Sequence, residues 1–75
     1  MTRLPQITGR ELVRFLKKQG FVEDRWAGSH LTLRHEARKT TVTVPVHSGV
    51  DIGRGLARRI LKDAGFSTAD YKKLH

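Results

Sequence analysis

Four histidines, His30, His35, His47 and His75, are the residues of this chain best suited to chemistry, because it contains no cysteine. Histidine has an ordinary pKa of about 6.5 and so can take and give a proton near neutrality. The spacing of the four matches no zinc pattern and no thiolate assists them, so a metal site is not expected. The glycines form neither a P-loop nor a dinucleotide fingerprint, and there is no Gly-x-Ser-x-Gly elbow, so no cofactor is implied. Ser29 adjoins His30, but neighbours on an extended chain point apart, which makes Ser29 a poor nucleophile for His30 to activate. A reaction whose substrate carries its own nucleophile asks less of the protein. In RNA cleavage the 2′-hydroxyl attacks. The protein must only remove one proton, deliver another to the leaving oxygen and stabilise negative charge on phosphorus.

The charge balance suits such a substrate. Fifteen Lys and Arg stand against seven Asp and Glu, a net charge of +8 over 75 residues, with a pI near 10.9. A field of this sign attracts polyanions and speeds their encounter. Nucleic acid and an acidic protein partner both answer that description, and a solvated surface would carry the same charge without either.

The elements that must position these groups can be read from periodicity. Thr8-Gly9-Arg10-Glu11 is a capping-box pattern. Leu12, Phe15, Leu16 and Gln19 follow at helical spacing, and Gly20 is the kind of residue that ends helices. A first helix is expected over residues 9–19. Residues 21–26 read as a strand, although Glu23, Asp24 and Arg25 spoil its alternation and leave its inward face open. Residues 27–29 are a turn, and residues 30–34 a clearer strand with Leu31 and Leu33 on one side and His30, Thr32 and Arg34 on the other. After a polar loop at 36–39, Val42, Val44 and Val46 alternate with Thr41, Thr43 and Pro45; Pro45 marks a strand end or an edge. A loop at 47–53 leads to a second helix beginning near Arg54 or Gly55, with a stripe of Leu56, Ile60 and Leu61 helped by Ala57 and Ala64, and Gly65 as its cap. Ser67 and Asp70 suggest a short third helix anchored by Tyr71 and Leu74.

The fold class expected is therefore α+β: helix, three antiparallel strands, helix, with the helices on one face of the sheet over Leu31, Leu33, Val42 and Val44. The other face would carry His30, Thr32, Arg34, Thr41 and Thr43. Seventy-five residues suit one domain spanning 1–75, with its core at about 6–67 and a short helical tail at 67–75. No run of about 18 apolar residues is present, so no membrane partner is expected. Met1-Thr2-Arg3-Leu4-Pro5 is not the start of a secretion signal, and a cytoplasmic protein is the expectation.

Residue chemistry alone leaves two readings of His30 open. It is either an acid–base residue on a polar sheet face or an ordinary hydrogen-bonding histidine at a strand start. Three segments bear on the choice: Gly28-Ser29-His30, Val42-Thr43-Val44-Pro45-Val46-His47, and the stretch from Gly55 to Phe66, Gly-Leu-Ala-Arg-Arg-Ile-Leu-Lys-Asp-Ala-Gly-Phe. In their order and spacing, with the opening helix and Gly20-Phe21, they resemble the HicA (YcfA-like) family of mRNA interferases over roughly residues 6–67. The resemblance implies a fold like the double-stranded-RNA-binding domain, α-β-β-β-α. It implies a toxin that cleaves mRNA and so arrests translation, and a HicB-type antitoxin that covers its active site. It carries the family's catalytic histidine onto His30, with Gly28 providing the turn and Ser29 bonding either substrate or the turn backbone. His47 is a candidate assistant, or else it only shapes its loop. Arg34, Arg54, Arg58 and Arg59 are candidate RNA contacts beside Gly28 and Ser29, or else part of a solvated basic surface. The chain departs from the resemblance at Leu56-Ala57, where relatives often carry Thr-Leu, and at Leu31, where many carry a polar or aromatic residue. An alternative from a different class is a double-stranded-RNA-binding-like module without catalysis, holding RNA by shape and phosphate contacts; an adaptor for an acidic protein is a third.

Overall fold

The computed structural model describes residues 3–47 and 49–75. In chain order the elements are α1 (Gly9–Lys18), β1 (Val22–Ala27), β2 (His30–His35), β3 (Thr40–Pro45), α2 (Arg54–Ala64) and α3 (Thr68–Leu74). The strands form one antiparallel sheet in the order β1-β2-β3. This is the expected α+β layout of a double-stranded-RNA-binding-like domain, with the third helix appended.

The caps fall where the local chemistry puts them. The Thr8 hydroxyl accepts from the Glu11 N–H at 3.1 Å while the Glu11 carboxylate accepts from the Thr8 N–H at 2.8 Å, so α1 opens on a complete capping box. Ser67 and Asp70 repeat the device at α3, with bonds of 3.0 and 2.9 Å. Gly65, left-handed at φ 95°, closes α2. Beside it the Arg38 guanidinium lies 4.9 Å from the Phe66 ring, tying the β2–β3 loop to the end of that helix.

The core is built from the sheet face carrying Leu31, Leu33, Val42 and Val44 and from the inner sides of the helices, Leu12, Val13, Phe15 and Leu16 on α1 and Ala57, Ile60, Leu61 and Ala64 on α2. Leu4 and Tyr71 join it, so buried side chains come from farther out in the chain than residues 6–67. Tyr71 packs its ring 4.9 Å from that of Phe15. Two expected anchors are absent from the core. Leu56 is 43% exposed and Leu74 42% exposed. On α2 the inward arc is filled by Ala57, which lets the helix approach β3 closely and turns Leu56 outward.

Both long helices pack mainly against β3. β1 therefore projects beyond their cover, and all six of its residues are exposed. Its spoiled alternation has a physical cause. Glu23 pairs with Leu33 and Arg25 with Thr32, leaving Asp24 as an extra residue in a bulge. The bulge resets the side-chain parity, so Glu23 and Trp26 both lie opposite inward-facing residues of β2, Leu33 and Leu31.

One close approach fixes how α1 meets the sheet. Gly9, at the start of α1, is buried, and a Cβ there would fall on the carbonyl oxygen of Pro45 at the end of β3. Gly55, at the start of α2, has open space around its missing Cβ. Gly9→Ala is expected to lower stability by about 1–3 kcal/mol through overpacking, whereas Gly55→Ala raises it by up to about 1 kcal/mol through helix propensity; denaturant midpoints of the two variants check the opposite signs. At α3, the Ser67 backbone and hydroxyl hold the Asp70 carboxyl below its usual range. A depressed carboxyl stabilises the fold above its ordinary pKa, about 3.9, and loses that contribution as pH falls through its folded value. Protection of the Tyr71 amide against hydrogen exchange is accordingly expected to hold from neutrality to about pH 5 and to fall at lower pH, with a weaker acid dependence in Asp70→Asn.

Candidate active site

The four histidines separate by environment. His35 is half-buried on the core side of β2, its ring edge-on to Phe21 at 5.1 Å and its Nδ1 accepting from the Arg38 N–H at 3.2 Å. His75 stacks on Tyr71, with ring centroids 4.8 Å apart. Both are accounted for by packing. His30 and His47 are exposed, and both stand at one end of the sheet.

The turn that presents His30 is set by Gly28. Ala27 pairs with His30, so the β1–β2 hairpin turns on Gly28 and Ser29 alone. Gly28 has φ 60° and open space where a Cβ would be. Backbone conformation, and not crowding, calls for glycine there. His30 opens β2 between Ala27 on one side and Pro45 on the other. Its side chain shares the open face with Thr32 and Arg34, away from the helices.

Ser29 links this turn to the end of β3. Its carbonyl accepts from the Val46 N–H at 2.7 Å, and its hydroxyl lies 3.5 Å from His47 Nε2. The hydroxyl thus meets a ring and not the turn backbone. The chain leaving β3 is clipped to the hairpin that carries His30, and His47 is delivered beside it. The α1 start reaches the same end through the Gly9–Pro45 approach. Gly28, Ser29, His30 and His47 are therefore brought together.

The four arginines are placed differently. Arg34 is on the same face as His30 but four residues along β2, roughly 13 Å away at the usual strand rise, and its Nε pairs with Glu36 at 3.1 Å. Arg54 is half-buried, and its Nε donates to the Leu4 carbonyl at 2.8 Å, which ties the N-terminal segment to the first residue of α2. Its first duty is structural. Arg58 and Arg59 are exposed on α2. Among the described residues, no three His, Cys, Asp or Glu side chains are placed to hold a metal ion, and no helix is long and apolar enough to cross a membrane.

A feature that the sequence did not announce lies across β1 from this end. A groove of about 340 Å³ runs between α1 and β1, with Trp26 in its wall and Arg10, Arg14 and Lys17 along the helix side. The spacing of those three cations, together with Val13, places them on one helical stripe. Trp26 carried a signal in being the chain's one tryptophan, two residues before the turn glycine.

The family model described as HicA toxin of bacterial toxin-antitoxin matches residues 9–66 of the 75. The chain belongs to the HicA toxin family. The match begins at the glycine packed on Pro45 and ends at Phe66 beneath Arg38, so it takes in every strand and both long helices. Against curated proteins no sequence match was found. As a HicA toxin the chain is one half of a toxin–antitoxin pair, and the Gly28-Ser29-His30 turn is among the residues that the family match spans.

The Arg54–Leu4 bond should be separable from any role in the site. Arg54→Ala leaves a carbonyl without its partner and is expected to cost about 1–3 kcal/mol, while His47→Ala, on an exposed side chain, stays within about 0.5 kcal/mol of the parent; thermal unfolding of the two variants checks both.

Proposed function

We propose that this toxin is a metal-independent endoribonuclease that cleaves mRNA and arrests translation, held in check by a HicB-type antitoxin seated over the His30 end of the sheet. The observation that carries the reading is the placement of His30: exposed, on the open face, at a turn fixed by Gly28, with a second exposed histidine clipped beside it through Ser29. A basic chain with a pair of exposed histidines fits the chemistry of a substrate that brings its own nucleophile.

The reaction is a transesterification. A base removes the 2′-proton, the 2′-oxygen bonds to phosphorus, the bond to the 5′-oxygen breaks, and an acid returns a proton to that leaving oxygen. His30 takes one of the two proton roles. His47 is the candidate for the other, since the Ser29 contact holds its ring at the same turn. Cations offset the negative charge that builds on the phosphoryl oxygens. Arg58 and Arg59 are free to approach RNA from α2, Gly28 lets a backbone approach closely, and Arg34 and Arg54 contribute field with part of their donor capacity already used. The double-stranded-RNA-binding-like layout also supports a second reading, a module that holds RNA without cutting it.

Purified protein incubated with end-labelled RNA in the presence of a chelator separates the two. The cleavage reading expects product with the chelator present, and a fall of about 10²–10⁴-fold in rate for His30→Ala with its circular dichroism unchanged. In cells, induced wild type stops growth and fragments mRNA, and His30→Ala does neither. A folded His30→Ala protein that cuts as fast as the parent overturns the assignment, and salt-sensitive binding without product in either protein selects the binding module.

A further inference from the structure

The groove between α1 and β1 lies outside the histidine end, and its composition is specific. Val13 and Leu31, both buried, and the partly buried Val46 form its apolar floor. Trp26 makes its outer wall and is 53% exposed. The Lys17 ammonium donates to Glu23 at 2.7 Å, which holds that carboxyl below its usual range, with a lesser contribution from the Trp26 indole. Glu23 and Trp26 stand on the same side of β1, opposite Leu33 and Leu31, so the Lys17–Glu23 pair borders the groove next to the indole. Arg10 and Arg14 complete the rim, and α1 brings Arg10 close to the Gly9–Pro45 contact at the His30 end.

The geometry points to a subsite for one unpaired nucleotide of RNA in this groove, its base stacked on Trp26 and its phosphates met by Arg10 and Arg14. A volume of about 340 Å³ takes a single nucleotide; a helix, about 10–12 Å across with its side chains, would rest on the rim and leave the floor empty. An aromatic ring beside a row of cations is the arrangement that binds single strands by stacking and charge. The position relative to His30 also fits. Trp26 pairs with Leu31, one register step from Ala27 opposite His30, which puts the Trp26 and His30 Cα atoms roughly 6 Å apart at ordinary sheet spacings. Their side chains face opposite sides of the sheet, so the RNA must cross the β1 edge between them. Ala27 and Gly28 are the small residues at that crossing. The subsite deepens the cleavage reading and rests on it for its link to the scissile phosphate.

Trp26 is the chain's one tryptophan, so its fluorescence reads the site directly. The probes are hexamers of 2′-O-methyl adenosine and 2′-O-methyl uridine, which lack the attacking hydroxyl, a blunt RNA duplex, and an acidic peptide alternating Glu and Leu. The expected result is quenching by the hexamers, stronger for adenosine because its larger ring stacks better, with little quenching by duplex or peptide. Anisotropy of labelled hexamer should show affinity reduced roughly 5- to 150-fold in Trp26→Ala and largely retained in Trp26→Phe. Arg14→Ala should lower the salt slope by about 0.7. Hexamer binding that neither quenches Trp26 nor weakens in Trp26→Ala overturns the subsite, as does quenching by the peptide alone, which would make the groove a protein dock. Because the hexamers cannot be cut, quenching by a protein that cleaves no RNA keeps the subsite and removes the cleavage reading. Cleavage by the parent without quenching does the reverse.

Discussion

The carbonyl of Pro45 organises one end of this molecule. It occupies the space where a side chain at the first residue of α1 would be, and so draws the start of that helix onto the end of β3. The next residue, Val46, donates its N–H to Ser29 in the neighbouring hairpin. The two ends of a single peptide group thus join the start of α1, the end of β3 and the turn before β2. Backbone contacts of this kind are far less tolerant of change than side-chain packing, because neither partner can move to another rotamer. The histidine pair sits on this junction, and the exposed side chains inherit their positions from the buried backbone behind them.

The second governing feature is lopsided cover. With both long helices over β3, the sheet presents two unequal uncovered surfaces, the polar open face holding His30 and the overhanging flank of β1 holding Trp26. A chain of this size buries only about 60% of its unfolded surface, and here the uncovered portion is where the chemically useful groups are gathered. His35 and His75 lie against aromatic rings, so residue type alone did not separate the two histidines at the site from the other two; ring packing did.

Much of this was legible from the sequence. Helix starts written as Thr8/Glu11 and Ser67/Asp70 carry their hydrogen-bond partners within four residues, and Val42, Val44, Leu31 and Leu33 declare their face by strict alternation. What could not be read depended on contacts between distant segments. The parity of β1 was hidden because a bulge at Asp24 resets it, and no local pattern announces which residue will be skipped. Leu56 read as core from its type, yet the smaller Ala57 took the buried position. Arg54 read as either a phosphate contact or part of a basic surface, and its bond to a carbonyl fifty residues away was in neither reading. At the site, the Gly28 turn and His30 were legible, while the Ser29–His47 contact and the Trp26 groove were products of the tertiary fold.

The bulge in β1 has a consequence for the life of the chain before and after folding. An edge strand is a template for foreign strands, since its outward N–H and C=O groups are unpaired. β1 is such an edge, and it carries exposed Val22 and Trp26 besides. The skipped residue at Asp24 breaks the regular repeat an incoming strand would need, and Glu23, Asp24 and Arg25 place three successive charges along it. The residues that made β1 hard to recognise as a strand are also those that stop it from recruiting another, so a small basic domain can leave an aromatic, half-uncovered edge in water without inviting cross-β assembly.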